Sequence, residues 1–186
     1  LKLENLPNVL TIGRIVAVPL VVVLFYWANP WSDPMAALVF IAAAITDTLD
    51  GWLARRMGLT TPLGAFLDPV ADKLMVATAL VLLVGHDTRP LIVITAIVII
   101  GREITVSALR EWMAHLGARA KVAVSGMGKL KTIAQMTGLS MMMFRREVFG
   151  LPVYELGVVL LVMAAALTLW SMGSYLRAAW PELRRR

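Results

Sequence analysis

Long apolar stretches recur along this chain, near residues 9–27, 35–54, 65–84, 91–112, 123–144 and 154–176. Each is about the 20 residues a helix needs to cross a bilayer. This repeated length constrains the fold more than any other feature. In hydrocarbon every backbone N–H and C=O must find its partner inside the protein, so such segments are expected to be helices. The expectation is therefore an all-α integral membrane protein with six transmembrane helices, the fifth being the least hydrophobic. With 59% of residues hydrophobic, too little polar surface would remain for an ordinary soluble domain. The first seven residues show no small-residue cleavage site behind an apolar core, and a short interfacial segment along the membrane surface is expected there. The absence of cysteine excludes disulfides and thiolate metal sites.

Residues 1–186 read as a single membrane domain, without low-complexity segments or evident internal repeats. Short connections imply antiparallel packing of neighbouring spans. Mapped onto six spans, the net charge of +6 is strongly asymmetric. Loops near 28–34, 85–90 and 145–152 hold Arg89, Arg145 and Arg146, whereas the other side gathers Lys2, Arg55, Arg56, Arg119, Lys121, Lys129 and Arg184 to Arg186. Both termini are then expected on the cytoplasmic side. The basic excess suits anionic headgroups and phosphorylated substrates, and because it flanks spans rather than forming a soluble stripe it gives no support to nucleic-acid binding. Pro19 is expected to kink the first span. Trp27, Trp31, Trp52, Trp112, Tyr154, Tyr175 and Trp180 lie near span ends, where aromatic side chains anchor helices at the interface.

The chemistry-bearing feature is a set of aspartates. Asp47, Asp50 and Ala54 stand at i, i+3 and i+7 and share a helical face, while Asp68 and Asp72 share a face of the next span at i and i+4. Gly51 and Ala54 leave their surface nearly bare, so a ligand can approach the backbone. An aspartate near the centre of a membrane helix costs about 2.5–3.5 kcal/mol on insertion scales. Neighbouring carboxylates also repel one another. Hard divalent cations relieve both penalties, and Mg²⁺ or Mn²⁺ suits carboxylates that share substrate phosphates. Helix caps at the membrane surface would explain one such residue more readily than four at two helical spacings.

The pattern D-x2-D-G-x2-A-R-x8-G-x3-D-x3-D, from Asp47 to Asp72, resembles the signature of the CDP-alcohol phosphotransferase family, with every fixed position met. The resemblance implies the six-helix CDP-alcohol phosphotransferase fold, a homodimer in the bacterial cytoplasmic membrane and a cytoplasmic active site. It further implies two divalent ions held chiefly by Asp47, Asp50 and Asp68, with Asp72 as metal neighbour and general base. Gly51, Ala54 and Arg55 would contact the CDP moiety of CDP-diacylglycerol. The residue types agree: a carboxylate can take the proton of an attacking hydroxyl, and neither Ser107 nor Ser125 forms a recognisable triad with His86 or His115. Direct in-line attack is thus expected rather than a covalent intermediate.

The acceptor alcohol is decided elsewhere. Arg102 and Glu103 lie inside the fourth span, where an unpaired arginine is costly, and pairing between neighbours is one explanation for them. Arg102, Arg110, Arg119, Lys129 and Lys131 together make a candidate basic pocket for a phosphate other than the diphosphate of CDP. Further stretches resemble those family members whose acceptor is sn-glycerol 3-phosphate. They are residues 5–11 with Arg14 and Pro19, 64–73, 102–104 with 108–112, 128–135 and 169–172. The products would be phosphatidylglycerophosphate and CMP. Asn8, Thr11 and Arg14 share a face and are candidates for contact with substrate phosphates, although Asn8 equally suits a helix cap. Inositol phosphate or phosphatidylglycerol as acceptor is the alternative within this chemistry. A cation transporter would place its carboxylates near the midplane in related halves, and a structural scaffold would have no need of Asp72.

Overall fold

The structure, a computed structural model, describes residues 6–57, 62–115 and 126–184. They form helices α1 (Leu6–Tyr26), α2 (Ser32–Met57), α3 (Pro62–His86), α4 (Pro90–His115), α5 (Gly126–Phe144) and α6 (Val153–Arg184). Among the described residues no strand is present, and an isolated bridge joins Val148 to Leu151. Pro62 and Pro90 open their helices, where the missing N–H removes no intrahelical bond and φ is already set. Helix α1 continues through Pro19, and α3 through Pro69. The expected interfacial segment falls largely on residues 1–5, outside the described residues.

Helix ends overrun the apolar stretches. Helix α1 begins at Leu6 rather than residue 9, and α6 runs to Arg184 rather than residue 176. The hydrogen-bonded ladder does not depend on side-chain polarity, so helices extend past the point where hydropathy falls. Among the described residues, α1, α4 and α6 contain segments long and apolar enough to cross a membrane: Val9–Tyr26, Pro90–His115 and Val153–Arg177. The aspartates and Lys131 lie on the other three helices.

Phe40, Leu80, Leu83, Ile92, Ile99, Leu139, Met142, Met143 and Leu161 fill the main core and are almost fully buried. The outward faces are equally apolar, with Val16, Val23, Leu38, Val81, Ile97, Ile133 and Trp170 exposed. Helices hydrophobic on all sides are those that meet lipid outside and one another inside. Helix α5 packs most extensively on α6, α1 lies against α2 and α3, and α2 touches α5. Backbone meets backbone at the α5–α6 crossing: a Cβ on Gly138 would stand 2.9 Å from the Gly157 carbonyl oxygen.

One end of the bundle is tied by ion pairs. Arg145, just after α5, donates to Asp33 at the start of α2 and to the Phe25 carbonyl at 3.4 Å, and lies 3.1 Å from His86 Nδ1 at the end of α3. Its guanidinium also sits 4.1 Å from the Phe25 ring centroid. Beside it, Arg89 bridges Asp87 and Glu155, and the Tyr154 hydroxyl donates to Asp87 at 3.0 Å. The loops after α1, α3 and α5 therefore meet at this end. The Asp87 carboxyl is held below the usual carboxylate range, chiefly by the Arg89 hydrogen bond. Asp68 near the start of α3, Arg110 near the end of α4 and Lys131 near the start of α5 consequently lie toward the opposite end.

Candidate active site

Helix α1 supplies a polar edge to the aspartates. Thr11 and Arg14, one turn apart, are 1% and 3% exposed. The Thr11 hydroxyl donates to Asp68 Oδ1 at 2.5 Å, and Arg14 Nη1 donates to Asp47 Oδ1. The sequence placed these side chains near substrate phosphates; the structure places them on the carboxylates themselves. Helices α2 and α3 thus deliver their aspartates to a common region, and Asp47 lies within electrostatic reach of both Asp68 and Asp72. Asp50, Gly51, Ala54 and Arg55 belong to the same C-terminal half of α2, and Asn8 to the first turn of α1. Their side chains, with that of Lys129 on α5, lie outside what the structure describes, as does Arg119 altogether.

Two cavities flank Asp72. The first, about 450 Å³, opens between α2 and α5 and combines Arg14, Asp47 and Asp72 with apolar Ile41, Ile45 and Ile133. The second, about 200 Å³, has Arg102, Glu103, Arg110, Lys131, Gln135 and Tyr175 in its lining, again with Asp72. Asp72, Thr132 and Met136 belong to both, so they form the wall where the cavities meet. A carboxylate at this junction can face one reactant on each side.

The second cavity carries a strong positive field. Arg102 and Lys131 are each 6% exposed. Arg102 Nη1 donates to Glu103 at 2.6 Å, Nη2 lies 3.4 Å from the Ser171 hydroxyl, and Lys131 Nζ is 3.8 Å from Glu103. The pairing of Arg102 with Glu103, one of the explanations the sequence allowed, is therefore present. It does not exhaust the cations: the buried Nε atoms of Arg102 and Arg110 have no hydrogen-bond partner among the described residues. Four cations, Lys73, Arg102, Arg110 and Lys131, face two carboxylates, Asp72 and Glu103, which leaves an excess suited to a phosphate monoester dianion.

Sequence reasoning missed Tyr175. It read as an interfacial anchor, but it is 6% exposed, its hydroxyl lies 3.5 Å from Arg110 Nη2, and the Arg110 guanidinium sits 5.4 Å from its ring centroid. The signal was available: Thr168, Ser171 and Tyr175 recur at i, i+3 and i+7 on α6, and all three are buried. Trp27, Trp31 and Trp180 are exposed, as anchors require.

The family model for CDP-alcohol phosphatidyltransferases matches residues 4–170. The chain belongs to this family. Among its relatives are proteins from Escherichia coli (strain K12), Shigella flexneri and Salmonella choleraesuis (strain SC-B67), each named CDP-diacylglycerol–glycerol-3-phosphate 3-phosphatidyltransferase. Each is 49% identical over 179 residues, covering 96% of this chain and 97% of the relative. The match to CDP-alcohol phosphatidyltransferases runs from α1, which carries Thr11 and Arg14, to Trp170 on α6, and takes in the lining of the first cavity and that of the second except Tyr175.

Proposed function

We propose that this protein transfers the phosphatidyl group of CDP-diacylglycerol to sn-glycerol 3-phosphate, giving phosphatidylglycerophosphate and CMP in phospholipid biosynthesis. The observation that carries this reading is the position of Asp72 on the wall shared by an aspartate-bearing cavity with apolar sides and a small basic one. The first suits the lipid donor, whose diphosphate would lie by Arg14 and the aspartates while its acyl chains leave along Ile41, Ile45 and Ile133. The second, about 200 Å³, is below the roughly 300–1,000 Å³ of sites for drug-sized molecules and suits a small phosphorylated polyol. Arg102, Arg110 and Lys131 would bind its phosphate, leaving its far hydroxyl at Asp72. That carboxylate takes the proton as the oxygen attacks phosphorus and CMP departs. Arg119 and Lys129 remain candidates for the same basic surface, and Gly51, Ala54 and Arg55 for the cytidine end.

The donor set suits two divalent ions, Mg²⁺ or Mn²⁺, because it consists of carboxylate oxygens carried by adjoining helices. Among the described residues no three acidic or imidazole groups stand close enough to form a metal cluster, and Asp47 and Asp68 are instead engaged by Arg14 and Thr11. Asp50 would complete a set with Asp47, Asp68 and Asp72. Bound metal would offset charge on the departing diphosphate oxygen. Arg14, already on Asp47, would orient that carboxylate and face the same phosphates.

The six helices are read as six spans of a bacterial cytoplasmic membrane protein, with both termini and both cavities toward the cytoplasm. The ion-paired loops at one end and the basic surplus at the other favour this orientation. A homodimer is expected from the family resemblance. The reading is tested by CMP release from CDP-diacylglycerol with sn-glycerol 3-phosphate, inositol phosphate, serine and phosphatidylglycerol offered in parallel. Release with glycerol 3-phosphate alone is the expected result. Release with another acceptor instead would overturn the assignment of the basic cavity.

A further inference from the structure

One side chain in the basic cavity is an uncharged amide among charged groups. Gln135 lies on α5 one turn beyond Lys131, is 5% exposed, and lines the same cavity as Asp72, Arg102 and Arg110. Its amide makes no hydrogen bond to any described residue, in contrast to its neighbours: Lys131 reaches Glu103, and Ser140 returns its hydroxyl to the Met136 carbonyl. The amide atoms are not among the side-chain atoms sealed from solvent without a partner, so they open onto the cavity, where a ligand can pair with them. The amide also differs in kind from the cations around it. It offers both a donor and an acceptor, the pairing a hydroxyl needs and a phosphate does not.

We propose that Gln135 hydrogen-bonds the second, non-attacking hydroxyl of the acceptor and thereby selects a vicinal diol phosphate over a simple hydroxyalkyl phosphate. This rests on the acceptor assignment of the basic cavity made above. The division of labour follows from the lining. Arg102, Arg110 and Lys131 take the phosphate, Asp72 takes the proton of the attacking hydroxyl, and the one remaining hydroxyl of sn-glycerol 3-phosphate falls to the uncharged amide on α5. An acceptor lacking that hydroxyl would forgo this hydrogen bond and leave the amide to cavity water, a penalty that shape alone does not impose.

The test compares sn-glycerol 3-phosphate with 3-hydroxypropyl phosphate, which keeps the phosphate and the primary hydroxyl and lacks the middle one. Full-length protein in detergent with CDP-diacylglycerol and Mg²⁺ is assayed for CMP release. Wild type is expected to prefer glycerol 3-phosphate in kcat/KM by roughly 100-fold, less than the discrimination of a fully closed hydroxyl site because this cavity admits water. Gln135→Leu should lose most of that preference by falling on glycerol 3-phosphate alone, with the hydroxypropyl compound changed less than about threefold. Gln135→Glu, of the same size and still able to accept, should keep part of the preference. Lys131→Ala should lower both acceptors by a similar factor, mainly through KM. Equal losses on both acceptors in both Gln135 variants, or an undiminished preference in Gln135→Leu, would overturn the role of Gln135. Silence of the wild type toward both acceptors would instead overturn the acceptor assignment beneath it, and Gln135's role with it.

Discussion

Gly138→Ala should weaken the bundle and the acceptor site together, because α5 is held against α6 by the absence of a side chain at that position. A Cβ there would stand 2.9 Å from the Gly157 carbonyl oxygen, 3.0 Å from the Leu161 nitrogen and 3.3 Å from Leu160 Cβ. The two closest atoms are backbone and cannot rotate away. Restoring an ordinary contact of 3.4 Å requires a separation of 0.5 Å (3.4 less 2.9) between the helices. Overpacking of this kind costs about 1–3 kcal/mol. Replacing glycine by alanine inside a helix returns about 0.8–1.0 kcal/mol of propensity. The net is a destabilisation of about 1 kcal/mol, or a fall of about 2–4 °C in Tm for a chain of this size. Gln135 and Lys131 lie three and seven residues before Gly138, on the same side of α5, so the displacement also moves the cavity lining. A rise of a few-fold in KM for the acceptor is expected alongside the lower Tm. The internal control is Gly101→Ala on α4, where a Cβ would meet nothing within 4 Å and propensity should stabilise by up to about 1 kcal/mol. Thermal unfolding in one detergent, followed by tryptophan fluorescence, compares the two variants. A Gly138→Ala protein as stable as Gly101→Ala, with unchanged acceptor KM, would refute the close-contact argument.

Other consequences follow from particular side chains. Arg102→Lys keeps the charge and loses the planar fork that joins Glu103 and approaches Ser171, so acceptor KM should rise about tenfold with kcat little changed in steady-state assays. Chelation with EDTA should abolish CMP release, and either Mg²⁺ or Mn²⁺ should restore it; full activity of demonstrably metal-free protein would contradict the carboxylate-metal reading. Asp87→Asn removes a carboxyl whose pKa is lowered by Arg89, so its stabilising effect is present above the unfolded value near 3.9 and fades as pH falls through the lower folded value. The Tm difference between Asp87→Asn and wild type should accordingly be visible at neutral pH and shrink toward pH 3.

The helices were legible because lipid-facing and core-facing sides are both apolar, which turns each span into one long block. Their ends were not, since Leu6 at one terminus and the polar turns up to Arg184 at the other are held by backbone bonds that hydropathy does not register. The aspartate spacing carried Asp47, Asp68 and Asp72 to a common region, and the eightfold spacing of Arg102 and Arg110 carried both to one cavity. What spacing could not give is which neighbour a face meets. Thr11 and Arg14 were visible as a polar stripe, but only the α1 packing shows that the stripe meets Asp68 and Asp47. Tyr175 illustrates the opposite error: an aromatic near a span end reads as an anchor until Thr168 and Ser171 on the same face show that it points inward.

The most direct test of the central claim, that Asp72 takes the acceptor's proton at the junction of the cavities, is Asp72→Asn assayed for CMP release with sn-glycerol 3-phosphate. The amide preserves size and removes the base, so a fall in kcat of roughly 10²–10⁴-fold is predicted, with unfolding temperature close to wild type. Near-wild-type turnover by folded Asp72→Asn protein would contradict the claim and move the proton acceptor elsewhere.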